Sequence, residues 1–123
     1  MYLLDSNILI YSAKSEYVFL RKYITNDAII SAVSISTVIE VLGYHRFAEE
    51  DKLYLESCIE LLHIIPVSEE IGFKAVELRQ HQKMSLGDSI VAATALVHDY
   101  PLVTRNVGDF RRISGLRVID PFD

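Results

Sequence analysis

Short apolar runs alternate with longer segments of helical spacing along this 123-residue chain. The runs Tyr2–Leu4, Ala28–Ala32, His63–Val67, Leu102–Thr104 and Arg117–Ile119 are rich in Val, Ile and Leu, the pattern of strands covered on both faces. Between them, Thr37–Arg46, Asp51–Leu61, Glu69–Gln82 and Leu86–His98 repeat apolar residues at helical intervals. Ile71, Ala75 and Leu78 share one face of the Glu69–Gln82 segment, and Ile90, Ala93, Ala95 and Val97 line much of Leu86–His98. Strands alternating with helices predict βαβ units, hence an α/β fold: a three-layer α/β/α sandwich around a mostly parallel sheet. No internal repeat and no Pro/Gly/Ser-rich linker divides the chain, so residues 1–123 are expected to form a single domain with a proper core.

That architecture gives the acidic residues a meaning, because ligands of open parallel sheets bind beyond the carboxyl ends of the strands. Asp5 directly follows the first apolar run, in YLLDSNILIY, and Asn106 and Asp109 follow Leu102–Thr104. Glu40 and Asp88 fall in the first turns of their helical segments, so all of these positions can converge on one sheet edge. Each acid also has a structural reading. Asp5 suits an N-cap for a helical segment beginning near Ile8. Thr37–Glu40 and Ser85–Asp88 have capping-box spacing, the second with Asp in place of Glu or Gln, and a carboxylate in a first turn suits the helix dipole. Asp109, in VGDF, is a natural turn residue beside a glycine. Glu40, flanked by Val38, Ile39, Val41 and Leu42, is expected to be partly buried, where a carboxylate needs a partner. That all four acids gather at one edge as caps and turns alone is the less economical explanation.

Charge and composition narrow the chemistry. The net charge of −5 and pI near 5.3 oppose a passive nucleic-acid binder. They weigh less against an enzyme whose metal ions neutralise part of the excess. Arg105, Arg111, Arg112 and Arg117 cluster toward the C-terminus, either to meet phosphates or as a solvated face. Cys58 is the sole cysteine, so there is no disulfide framework, and a reducing, cytoplasmic location is expected. The first residues lack a basic signal-type region, and the apolar stretch Ala28–Tyr44 is interrupted by Ser, Thr and Glu40, so no membrane association is expected. Two carboxylates about 4 Å apart repel by roughly 4 kcal/mol at an effective dielectric near 20, so a cluster of acids calls for a cation. All-oxygen donors favour Mg2+ or Mn2+ over zinc, and His45, His63, His81 and His98 are scattered without paired spacing. The chain has no phosphate-binding glycine loop and no G-x-S-x-G elbow, which removes the main support for nucleotide-cofactor and serine-hydrolase chemistry.

Read in order, LLDSNILIY around Asp5, SISTVIEVL around Glu40, LGDSIVAATAL around Asp88, LVTRNVGDF through Asp109 and the closing RVIDPF resemble PIN-domain ribonucleases. The resemblance is specifically to the toxin half of VapBC-type toxin–antitoxin pairs and covers nearly the whole chain. It implies that Asp5, Glu40 and Asp88 bind a divalent metal, Mg2+ or Mn2+. Asn106 stands where some relatives carry a fourth acid, so the resemblance implies that Asp109 takes its place or reaches the metal through water, with one or two ions left open. Ser6, Asn7 and Thr104 match polar positions that orient the acids or contact phosphate, while Arg105, Arg111 or Arg112 would grip flanking phosphates. The implied activity is metal-dependent endonucleolytic hydrolysis of RNA, leaving a 5′-phosphate and a 3′-hydroxyl. The implied partners are an RNA substrate, a second copy in a homodimer, and a cognate antitoxin that inserts a segment into the active-site groove.

Rival readings fit less well. A phosphoacceptor receiver domain needs an acidic pair after the first strand and a late lysine, but Asp5 is followed by Ser6 and no lysine follows Lys83. A haloacid-dehalogenase-type phosphatase wants a second Asp at the position of Asn7. A catalytically silent PIN-like interaction module remains as the alternative, favoured only by the missing acid at Asn106.

Overall fold

β1 (Tyr2–Leu4) runs through the middle of a five-stranded sheet in a computed structural model that describes residues 1–123. The other strands are β2 (Ser31–Ser34), β3 (His63–Ile65), β4 (Leu102–Val103) and β5 (Val118–Ile119), in the order β3-β2-β1-β4-β5. All pairings are parallel, with Leu3 opposite Ala32 on one side and Leu102 on the other. The chain therefore winds outward from β1 through β2 to β3, then returns to lay β4 on the other side. That reversal opens a crevice at the carboxyl ends of β1 and β4, the switch point where α/β sheets take their ligands. Asp5 and Thr104 are the residues that follow those strand ends.

Strand alternation divides the core into layers. Leu3, Ala32, Ile65 and Leu102 face α5 (Glu69–His81), α6 (Leu86–His98) and α7 (Val107–Phe110), whose Ile71, Val91, Ala95 and Phe110 are buried there. Leu4, Val33 and Val103 face the other layer, built from α1 (Ser6–Ser12), α2 (Lys22–Thr25), α3 (Ile35–Leu42) and α4 (Glu49–Glu60). A 3-10 helix, Ser15–Arg21, links α1 to α2. Truncating Leu3 or Leu4, both completely buried at the centre of their layers, would cost on the order of 2–5 kcal/mol. Cys58, on α4, is free and buried in the second layer. No helix is long and apolar enough to cross a membrane.

The three-layer sandwich and parallel sheet match the sequence reading, and so do the bounds of β1 and α6. The expected second strand does not. Ala28–Ala32 is displaced to Ser31–Ser34, because the ladder runs through two buried serines while the apolar Ile30 is more than half exposed. Nor do Thr37 and Glu40 form a capping box. Ser34 caps α3 by accepting from the Ser36 N–H at 3.1 Å, and Thr37 lies one turn inside, buried with its hydroxyl unpaired. Glu40, expected to be partly buried, is exposed: Thr37 and Val41 fill the core face of α3, and Glu40 lies at its flank, with its carboxylate against Gly87 of α6.

Candidate active site

Asp5 lies between strand and helix and serves both. Its Oδ1 accepts the Ser6 N–H at 2.8 Å, so Asp5 is the N-cap its structural reading allowed, with α1 starting at Ser6, two residues earlier than expected. Its Oδ2 faces the crevice wall, where the Thr104 hydroxyl donates at 2.8 Å and the Asn7 amide at 3.3 Å. Thr104 is itself pinned, since its Oγ1 accepts the Asn106 N–H at 3.0 Å. Asn7 completes the link by accepting the Arg105 N–H at 3.2 Å. Ser6, Asn7, Thr104, Arg105 and Asn106 therefore converge on Asp5 from opposite ends of the chain. The hydrogen bonds favour the carboxylate, but burial dominates and, with the charge of Glu40, pushes its pKa above the ordinary aspartate value.

Asp88 enters from the start of α6. Ser85 caps that helix by accepting the Asp88 N–H at 3.1 Å, so the expected Ser85–Asp88 spacing is a cap through the backbone. The Asp88 carboxylate remains beside the crevice. Its pKa is also raised, first by burial and then by the charges of Asp5 and Asp109, with the Ser85 hydroxyl opposing. Asp88 and Asp109 line a cleft of about 670 Å³ together with Ser85, Lys83, Gly108 and Arg112. The four acids thus form a chain of mutual repulsion running from Glu40 through Asp5 and Asp88 to Asp109. No group of three His, Cys, Asp or Glu side chains is gathered closely enough to grip one ion directly.

Residues 2–116 match the PIN domain family. The chain belongs to that family. Ribonuclease VapC1 of Rickettsia felis is 31% identical to this PIN domain over 103 residues, covering 76% of this chain and 75% of its own. Ribonuclease VapC10 of Mycobacterium tuberculosis is 31% identical over 91 residues, covering 70% and 67% respectively. Among solved structures, a chain of a toxin–antitoxin complex from Klebsiella pneumoniae superposes with a TM-score of 0.77 at 32% identity, over 100% of this chain and 99% of that one.

In this PIN domain the expected acids do share one sheet edge, but the arginines do not share one role. Arg117 donates to the backbone and carboxylate of Asp99 at 2.8 and 3.2 Å, so it is a structural tie behind the sheet edge and not a phosphate contact. Arg112 faces the cleft of Asp88 and Asp109, as does Lys83, which the sequence reading did not single out. Gly87 was also missed. A Cβ at this position would come within 2.7 Å of Glu40 Oε1, so the bare backbone of α6 makes room for that carboxylate. The available signal was a glycine in the first turn of an otherwise strong helix, where it costs stability and calls for a local reason.

Proposed function

We propose that this chain is the toxin of a toxin–antitoxin pair, a Mg2+- or Mn2+-dependent endoribonuclease that hydrolyses RNA phosphodiester bonds. The observation that carries the reading is the Asp5 carboxylate, held at the switch point of a PIN domain by Ser6, Thr104 and Asn7 while Glu40 and Asp88 crowd it with like charge. The named likeness to VapC ribonucleases supports it.

The residues fit a hard divalent cation. Their donors are all oxygen, their charges are mutually unfavourable without a counter-ion, and the desolvation of Asp5 and Asp88 makes the repulsion between those two costly. No three of them gather closely enough to bind one ion together, so one or two carboxylates would hold the ion and water would fill its remaining positions. Asp5 and Asp88 would hold the ion, with Glu40 and Asp109 beside it. When bound, such an ion polarises a phosphoryl oxygen and lowers the pKa of water.

The chain's own groups supply the rest. Thr104 and Asn7 fix the orientation of Asp5 through donated hydrogen bonds, and Ser6 does so through its backbone. Glu40, exposed and in reach of solvent, is the carboxylate free to orient an attacking water and take its proton. Arg112 and Lys83 offer positive charge to phosphates entering the cleft beside Asp88 and Asp109. Asn106 precedes α7 with neither a side-chain capping bond nor a charge, leaving Asp109, one turn further, as the acid on that side.

The same reading includes a cognate antitoxin whose basic side chain pairs with the acids in the crevice, and a homodimer. Phe73, Val76 and Leu86, apolar and at least half exposed on neighbouring α5 and α6, are the surface a second copy would cover. The decisive experiment is cleavage of a small-RNA pool with Mn2+, with Mg2+ and with EDTA, alongside Asp88→Asn. Metal-dependent cutting that the variant lacks is expected. A protein that binds no divalent ion in calorimetry and cuts nothing would reduce the acids to caps and turns.

A further inference from the structure

Arg105 is not a free arm waiting for a phosphate. Its guanidinium carbon lies 4.1 Å from the centre of the Phe122 ring and 5.2 Å from that of Tyr11. Neither of the chain's ion pairs, Lys74–Glu77 and Arg117–Asp99, involves it. The rings beneath are braced in turn. Tyr11 and Phe122 meet edge to face at 5.5 Å, and Tyr17 contacts them at 5.1 and 5.4 Å. Phe19, itself partly exposed, meets Phe122 at 5.6 Å. The guanidinium is thereby localised while the Arg105 side chain remains exposed. Its backbone is fixed as well: the Arg105 N–H donates to Asn7, and the same Asn7 side chain donates to Asp5. A ring-backed cationic plane thus stands two hydrogen bonds from the central acid.

We propose that Arg105, supported by Phe122 and Tyr11, is a stacking platform for the unpaired base next to the phosphate engaged at Asp5. This rests on the ribonuclease reading above and specifies its substrate as single-stranded RNA. The electrostatics favour such a device. A chain of net charge −5 gains little from counterion release, the usual source of affinity for nucleic acid. Stacking on aromatic rings and guanidinium planes depends far less on net charge and suits bases splayed out of a helix. A base inside a duplex already has both faces covered, so the platform selects loops and single strands. A phosphate contact would use the guanidinium fork but would not need rings packed against its face.

The test uses a single-stranded oligoribonucleotide carrying 2-aminopurine, titrated in EDTA so that binding is read without cleavage. Fluorescence quenching on binding to the wild-type protein is expected. Arg105→Lys keeps the charge and loses the plane, and should weaken binding roughly tenfold, with diminished quenching and an unchanged salt slope. Phe122→Leu should weaken it several-fold. Because Phe122 also packs against the core, its thermal unfolding is measured in parallel, and the exposed Arg105→Lys decides the matter if that variant is unstable. Equal affinity and equal quenching in Arg105→Lys overturn the platform. So does a variant that keeps its RNA affinity but loses a bound partner protein, which would make the rings a protein-docking surface. Quenching by a wild-type protein that never cuts RNA with Mn2+ would remove the nuclease and leave the platform. Metal-dependent cutting with an unaltered KM in Arg105→Lys would do the reverse.

Discussion

Around Asp5 the polar atoms are committed. Both carboxylate oxygens accept hydrogen bonds, the donors are themselves fixed by further bonds, and only 5% of the residue is exposed. Around Glu40 and Asp109, on the same sheet edge, the arrangement is open. Both residues are exposed, and neither enters an ion pair within the chain. The contrast shows how one anionic site combines a fixed carboxylate with open ones. One carboxylate is fixed by neutral donors that offset part of its burial, while its neighbours stay in solvent, where repulsion is weak. Position comes from the buried hub and adaptability from the rim.

Asp5→Ala tests the hub hardest. It leaves the Thr104 hydroxyl and Asn7 amide without their shared acceptor and removes a helix cap, so it should lower stability by roughly 1–3 kcal/mol in urea unfolding. Cleavage should fall by more than about 100-fold, beyond the loss typical of groups that merely support a metal ligand. A variant as stable as wild type would erase the distinction between hub and rim. Asp88→Asn should abolish cutting to a similar extent but move stability the other way. Because burial raises the Asp88 pKa, the folded protein retains a proton that the unfolded chain has released. Stability is therefore full below the ordinary carboxylate range and falls as pH rises through the raised value. Without that charge the variant should melt higher than wild type in EDTA at pH 7, and Mn2+ should raise its melting point less. A lower melting point would mean that the helix dipole outweighs burial at this site.

Gly87→Ala separates the rim from the fold more gently. A methyl group improves the helix by about 0.5–1 kcal/mol, yet it displaces the Glu40 carboxylate and should reduce metal affinity and turnover about tenfold. Thermal unfolding and Mn2+ titration on one preparation would read both effects, and unchanged turnover would remove Glu40 from the site. The smallest effect belongs to Asn106→Asp, which restores an acid at an exposed position. Mn2+ affinity should rise by about fivefold, the worth of ~1 kcal/mol between near charges in water. No gain would indicate that Asp109 already serves that side.

Hydrophobic pattern made the layers legible, and particular residues show where it stopped. Tyr2–Leu4 and Leu86–His98 are uniform enough that pattern and structure coincide. At β2 the pattern misled, because Ile29 and Ile30 look more like a strand than Ser31 and Ser34 do. Side-chain hydropathy does not register where a backbone ladder runs, and these serines are buried by their neighbours on both sides. The 3-10 helix and α2 are too short to establish a period. At the site, Asp5 and Asp88 were legible because their position after a strand and at a helix start follows from local sequence. The Thr37–Glu40 spacing imitated a cap because Ser34, the real one, lies past the expected strand end at Ala32 and closes the observed β2. Gly87 acts through an atom it lacks, and Tyr11 and Phe122 become neighbours only through the fold, so neither could be read from a local window.

The bond between Thr104 and Asp5 spans 99 positions of the chain. At synthesis rates of roughly 5–20 residues per second, Asp5 waits about 5–20 seconds before its partner is made. Until β4 slides in beside β1, the hub has no outer wall, the crevice has only one side, and Arg105 has not reached its rings. A chain stalled or clipped before that point carries Asp5, Glu40 and Asp88 but no assembled centre. The last fifth of the molecule completes the hub, and an incomplete chain lacks the wall that orients Asp5.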